Sequence, residues 1–189
     1  PNLELFTTGE TPSERDSEIN KKWLSNLEKT DNKKPFFGFL FYDSAHGFDY
    51  PKNYKLPFTP SLSEVNFLDL NDDYNPKQLI NRYKNSLHFV DSLVGKVLLN
   101  LDKRGLLKNT IVVITSDHGQ EFNDNKKGYW QHGGNFSDYQ IGVPMLVFDA
   151  SKAPKKHPQQ TLHYDIAPTM MKNYLGVKNN SVDYSFGQD

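Results

Sequence analysis

Three short, nearly continuous apolar runs limit what this chain can fold into: PFFGFLFY (35–42), NTIVVITS (109–116) and VPMLVF (143–148). Each has the length of a strand, and none alternates polar with apolar residues. That pattern predicts strands covered on both faces. Between the first two runs lies a long helical pattern, about residues 76 to 103, opened by Asn75-Pro76 and stopped by Gly105. Its Tyr83, Leu87, Val90, Val94, Val97 and Leu101 recur at 4-3-4-3-4 spacing and predict a core stripe. Residues 11–29 predict a further helix with Ile19, Trp23 and Leu27 as its apolar stripe. Pro12 suits its first turn, Glu14, Asp16 and Glu18 suit its N-terminal half, and Lys29 suits its end. HYDIAPTMMKNYLG (163–176) predicts the last helix, with Asp165 as N-cap and Gly176 as stop.

Buried strands alternating with amphipathic helices predict an α/β fold with a largely parallel sheet flanked by helices. The Pro-containing stretch 51–75 is expected to be a long ordered loop covering a site. Residues 119–140, rich in Gly, Asn and Lys, are expected to be a loop, and 149–160 a basic surface loop.

Composition excludes several function classes. Among 189 residues there is no cysteine, so disulfides, thiolate metal sites and thiol nucleophiles are ruled out within this stretch. The net charge of −1 gives no global field for nucleic acid or an anionic membrane. No apolar run approaches the roughly 20 residues of a spanning helix. The chain opens on Pro1, without an initiator Met or a signal-peptide pattern, and reads as a segment of a longer protein.

In such sheets ligands bind beyond the carboxyl ends of the strands. Asp117 and His118 follow the second apolar run directly, and Gly119 lets the backbone turn so that both side chains converge. A carboxylate oxygen beside an imidazole nitrogen suits Zn²⁺ or Mn²⁺. A bare Asp-His-Gly is also what a turn-capping aspartate and a structurally bonded histidine look like. His132 precedes Gly133 and Gly134, which permit close approach of a ligand to the backbone; a surface hairpin would use the same glycines. An imidazolium there binds an anionic oxygen. His46, in DSAHGF (43–48), follows the first apolar run and also precedes a glycine. His88 and His163 are expected to pack or hydrogen-bond structurally and His157 to face solvent, and Arg82 and Asp91 are expected to sit on the long helix's polar side or in a buried pair. Neither a Gly-rich phosphate loop nor a G-x-S-x-G elbow occurs.

Taken together and in order, VVITSDHGQEF, a His-Gly some 14 residues on, QIGVPMLVF and HYDIAPTMM resemble the sulfatase and alkaline-phosphatase superfamily. PFFGFLFYDSAHGFDYP, NRYKNSLHFVDSLVGKVL, SDHGQEFNDN and DYSFGQD resemble more narrowly the periplasmic domain of YejM/PbgA-like inner-membrane proteins of Gram-negative bacteria. Lipoteichoic acid synthases and lipid A phosphoethanolamine transferases share the broader plan.

The resemblance implies an alkaline-phosphatase/sulfatase-like sheet, incomplete in this chain. Residues 1–189 would form the C-terminal portion of the domain, with the nucleophile region upstream and the domain's end downstream. Thr7, Thr8 and Thr11 precede the wrong helix to replace that nucleophile. Asp117 and His118 match metal ligands for a divalent ion (Mn, Zn, Mg or Ca). His132 and His46 match histidines that contact the phosphate or sulfate group.

The implied activity is metal-dependent hydrolysis of phosphoric or sulfuric esters, or transfer of a phospho-group, at the bacterial cell envelope. The alternative is a non-catalytic, lipid-sensing domain controlling lipopolysaccharide homeostasis. The implied partners are an anionic phospholipid or lipid headgroup, an N-terminal transmembrane domain of the same protein, and an inner-membrane regulatory protein. The implied location is the periplasmic face of the inner membrane.

Overall fold

The structure, a computed structural model, describes residues 7–31 and 34–188. They form two compact units, 1–151 and 152–189.

The first unit is organised on two helices. Helix α1 spans Pro12–Lys29. Thr11 is its N-cap: its side chain accepts from the Glu14 N–H at 3.3 Å, and the Glu14 carboxylate accepts the Thr11 N–H at 3.3 Å. This capping box satisfies two of the N–H groups a helix start leaves unpaired. Helix α2 spans Lys77–Lys103 and ends at Gly105, whose φ of 68° is the left-handed conformation that closes a helix.

Two cores share α2. Toward its C-terminal end, Leu27, Val97 and Leu101 pack with Trp23, Leu106, Leu107 and Val112. Toward its N-terminal end, Phe48, Leu79 and Phe122 pack with Leu62, Leu70, Tyr83, Trp130 and neighbours. The buried face is not quite the predicted one. Val97 and Leu101 are buried, but Phe89 and Leu93 are buried beside them, while Leu87 is 40% exposed. Apolar residues lie on two overlapping rows of α2, and the neighbours α2 meets decide which row turns inward.

Strand β1 is Val112–Thr115, and β2 and β3 are Glu121–Phe122 and Trp130–Gln131. Helix α3 is the single turn Asp138–Ile141, and strand β4 is Met145–Phe148. β1 pairs antiparallel with β4, Val112 opposite Phe148 and Thr115 opposite Met145. β2 pairs antiparallel with β3, Glu121 opposite Gln131. The parallel pairing expected from the sequence is therefore absent among the described residues. The strand expected at 35–42 is also absent: that run enters no ladder, and Phe37, Phe39 and Phe41 are exposed. The described strands pair only with one another, β1 with β4 and β2 with β3, and an apolar run becomes a strand only when it pairs with a partner. Residues 119–140 are a hairpin followed by α3, not a loop.

The 51–75 stretch is ordered, with a 3-10 turn at Phe67–Asp69. It is pinned along α2. Asn85 exchanges two hydrogen bonds with the Phe58 backbone, at 3.1 and 3.0 Å. Arg82 donates to the carbonyls of Leu62 and Ser63 at 3.0 and 2.6 Å. Tyr54 and His88 share a 2.6 Å hydrogen bond. The loop covers the helix, and His88 and Arg82 have the structural roles expected of them.

In the second unit, helix α4 covers Ile166–Asn173 after a 3-10 turn at His163–Asp165. Asp165 holds the N-cap position, but its carboxylate accepts from the backbone N–H groups of Leu162 and Gln188, at 2.7 and 2.8 Å, not from the helix. These two bonds hold the Asp165 carboxyl below its ordinary value. His157 and His163 are exposed. Among the described residues no helix is long and apolar enough to cross a membrane.

Candidate active site

Three segments bring three imidazole rings together, and each is held by a different device. The first carries His46. Helix α1 buries a polar row on its N-terminal half: Ser13, Asp16 and Asn20, at i, i+3 and i+7. Each member grips the segment around residues 42–49. Both Asp16 oxygens accept backbone N–H groups, from Asp43 and from Ser44, each at 2.8 Å. The Ser13 N–H donates to Asp49 at 2.8 Å, and Tyr42 donates its hydroxyl to Asn20 at 3.0 Å. Burial pushes the Asp16 carboxyl up, against the lowering effect of these N–H donors. Arg15 adds an ion pair to Asp43 at 2.9 Å. At the far side Phe48, with φ 49°, turns into the core against Tyr83 and Phe122. His46 stands on the turn so fixed, its Nδ1 3.8 Å from Asp43.

The second segment follows β1. Asp117 accepts the His118 N–H at 3.1 Å. The Gly119 N–H donates to the Gln140 carbonyl at 2.7 Å, and a Cβ at Gly119 would lie 2.2 Å from the Tyr139 carbonyl oxygen. Only glycine fits there. His118 Nδ1 is 2.8 Å from the Gly119 carbonyl. A carbonyl only accepts, so Nδ1 carries the proton and Nε2 keeps a free lone pair. That Nε2 lies 3.8 Å from the Asp117 carboxylate.

The third segment is the β2–β3 hairpin, which ends on His132. The chain reverses at Gln131, φ 69°, and Gly133, φ 78°. The His132 ring then stacks on His118, with centroids 3.9 Å apart and an interplanar angle of 26°. His46 lies 5.1 Å from His132 and 6.4 Å from His118. His132 Nδ1 is 3.3 Å from the Gln120 side-chain oxygen. Burial holds the His132 ring below its ordinary pKa; the neighbouring His118 and His46 add to this, and Asp117 opposes it.

All four predicted residues thus meet in one place. Asp117 and His118 fit a divalent ion as far as two donors can. Two ligands each about 2.0–2.2 Å from one ion lie at most ~4.4 Å apart, and these lie 3.8 Å apart. Among the described residues no group of three or more His, Asp or Glu side chains is placed to hold a metal. Sequence reasoning missed the residues that hold the site: Asp16, Asn20, Gln120, Glu121 and Gln140. The one signal available was the small polar row Ser13, Asp16, Asn20 on one face of α1.

The family model for sulfatases matches residues 4–177. The chain belongs to the sulfatase family. Its curated relatives within and around that family are diverse. Inner membrane protein YejM of Salmonella typhi is 29% identical over 130 residues, 68% of this chain and 21% of YejM. Phosphoethanolamine transferase EptA of Salmonella typhimurium is 36% identical over 104 residues, 52% of this chain and 17% of EptA. Rat steryl-sulfatase is 33% identical over 132 residues, 60% of this chain and 23% of that enzyme. The chain spans about a fifth of the length of the YejM proteins it matches. Among solved structures, a sulfatase from glycosaminoglycan metabolism in Bacteroides thetaiotaomicron superposes with a TM-score of 0.57 at 22% identity. That match covers 85% of this chain and 34% of that one. The fold class is therefore the α/β, alkaline-phosphatase-like class of the sulfatases.

Proposed function

We propose that this sulfatase-family chain contributes the metal-and-histidine half of a site that cleaves or transfers a phosphoric or sulfuric ester. The observation that carries the reading is the convergence of three imidazoles beside Asp117, in a chain of this family. Residues 1–189 are then the C-terminal portion of a periplasmic domain at the inner membrane. The attacking hydroxyl and the remaining acidic ligands come from outside them. The substrate class that suits a site on a membrane protein is an anionic lipid headgroup.

Asp117 and His118 would hold a divalent cation, whose contribution when bound is to activate a hydroxyl nucleophile and polarise the ester. The protein's own groups do the rest. The Gly119 carbonyl keeps the proton on His118 Nδ1 and so keeps Nε2 available as a ligand. Burial, with smaller contributions from the neighbouring His118 and His46, holds His132 toward its neutral form against the opposing effect of Asp117. An anionic ester oxygen supplies a countercharge. His132 and His46 then donate hydrogen bonds to the transferred group, and one of them passes a proton to the leaving oxygen. Gln120 fixes which His132 nitrogen faces the ester.

The test is release of p-nitrophenol from aryl phosphodiesters and aryl sulfates by the full-length protein with Mn²⁺ or Zn²⁺. Asp117→Ala and His118→Ala should each lower the rate at least ~100-fold. A protein that binds neither ion, or an Asp117→Ala variant that works normally, ends this reading. Should a folded His118→Ala variant still complement loss of the gene, the non-catalytic lipid-sensing role stands in its place.

A further inference from the structure

Glu121 has no accessible surface. Glutamate is almost never fully buried without partners. Here all its partners are neutral: Oε1 accepts from Asn125 at 2.8 Å, and Oε2 accepts from Asn135 at 3.0 Å, Ser137 at 3.0 Å and Gln140 at 2.8 Å. Among the described residues no Lys or Arg pairs with it to offset the charge. A well-packed apolar cluster replacing Glu121 and its four donors together would serve stability as well. What a carboxylate alone supplies is an acceptor-only group with about four lone-pair sites. It gathers donors from several points of the chain at once.

Those points bracket His132. Asn125 lies in the hairpin turn before it; Asn135, Ser137 and Gln140 follow it. Gln140 extends the hub, since its side-chain oxygen accepts the N–H groups of Gly134 and Asn135 at 3.1 and 3.3 Å. Its backbone carbonyl takes the Gly119 N–H at 2.7 Å, which ties the hub to the turn bearing His118. Gln120 immediately precedes the fixed Glu121, and its side-chain oxygen lies 3.3 Å from His132 Nδ1. Glu121 also sits opposite Gln131 in the ladder, the residue held at φ 69° immediately before His132. A glutamine does not adopt that conformation unless its surroundings impose it.

We infer that Glu121 is a positioning residue for His132: its hydrogen-bond hub sets the ring's place against His118 and its bond to Gln120. The inference rests on His132 working in the proposed site, so its test keeps geometry separate from activity.

The test uses the full-length protein labelled with ¹⁵N-histidine. Glu121→Gln keeps the shape but turns an amide N–H₂ toward donors. It should shift the His132 ring-nitrogen signals and leave those of His88, bonded to Tyr54 on α2, unchanged. In the p-nitrophenyl ester assay kcat should fall about 10- to 100-fold, the usual scale for an outer-shell partner, with KM changed less than about threefold. The swap Glu121→Gln with Gln140→Glu returns one carboxylate and one amide to the same pair, and it should restore the His132 signals and most of kcat. A folded Glu121→Gln protein with wild-type His132 signals overturns the inference, as does a swap that restores neither signal nor rate. If Glu121→Gln does not fold, Ser137→Ala, which removes one of the four donors, decides the matter. A smaller His132 shift supports the inference and an unmoved signal overturns it. An inactive wild-type protein defeats the esterase reading alone, and the histidine spectra still decide the role of Glu121.

Discussion

Residues 35–42 and residues 119–140 reverse the usual relation between hydropathy and burial. The first run is almost wholly apolar, yet Phe37 is 91% exposed and Phe39 79%. The second is rich in Gly, Asn and Lys, yet it buries Glu121, Asn123 and Gln140 almost completely. The difference lies in what each segment meets. Among the described residues no strand pairs with the apolar run. Its contact is with α1, where Phe36 approaches Trp23 and Gly38 lies under the indole, so close that a Cβ would fall 2.3 Å from the ring. In the polar hairpin Glu121 meets four donors and Gln140 both gives and accepts, while Asn123 Nδ2 and Trp130 Nε1 are buried without a partner. A buried polar group costs little once its hydrogen bonds are made, and an apolar one gains nothing until something covers it.

The sharpest way to break this contrast is to empty the polar hub. Glu121→Ala leaves four side-chain donors without their acceptor and should destabilise the protein by at least ~3 kcal/mol, read from urea denaturation. A loss below ~1 kcal/mol would mean that the hairpin rearranges around water and that its polar burial is incidental. The polar row on α1 is the next test. Asp16→Ala deprives the Asp43 and Ser44 N–H groups of their acceptor and should cost about 2 kcal/mol. Asp16→Asn, which keeps one oxygen, should cost less; equal costs would show that the contact is packing and not hydrogen bonding.

A third measurement is the pH dependence of the hub. Burial pushes the Glu121 carboxyl up, but hydrogen bonds from Asn135, Gln140, Ser137 and Asn125 outweigh it and hold it below its ordinary value. Its contribution to stability is therefore complete above the unfolded value of about 4.3 and is lost as pH falls through the lower folded value. The urea midpoint of the wild type should fall more steeply on acidification than that of Glu121→Gln. Parallel curves would show that the carboxylate is not held ionised. The smallest effect belongs to the apolar run. In the 1–189 chain Phe37→Ser should change stability by no more than ~0.5 kcal/mol, because the ring covers almost nothing. A loss of several kcal/mol in that chain would place the ring in a core after all.

The helices were the most legible part of the fold. The long one was expected over about 76–103 and is found at Lys77–Lys103, because capping and breaker signals such as Gly105 act locally. Its buried face was less legible: Leu87 belonged to the predicted stripe but faces solvent, and Phe89 and Leu93 took the core. Periodicity identifies a helix, but two overlapping apolar rows leave its rotation to the neighbours. The apolar runs at 109–116 and 143–148 became β1 and β4, while 35–42 did not become a strand, since a ladder needs a partner that hydropathy cannot reveal. At the site, His46, His118 and His132 were found from glycines and apolar runs beside them in the chain. Asp16 and Glu121 were not found. Asp16 meets its partners 27 and 28 residues away, and the most distant partner of Glu121 is Gln140, 19 residues away. Nothing next to Glu121 marks it for burial, and Asp16 carries only the faint signal of the polar row it forms with Ser13 and Asn20.

By itself the sequence determined the family, the helices and the four residues that converge, because short-range signals and ordered motifs carry that information. Only the tertiary structure decided which polar side chains go inside and which aromatic ones stay out. Burial is a property of pairs of groups: a carboxylate enters the interior with its donors, and a phenylalanine enters only when another surface closes over it.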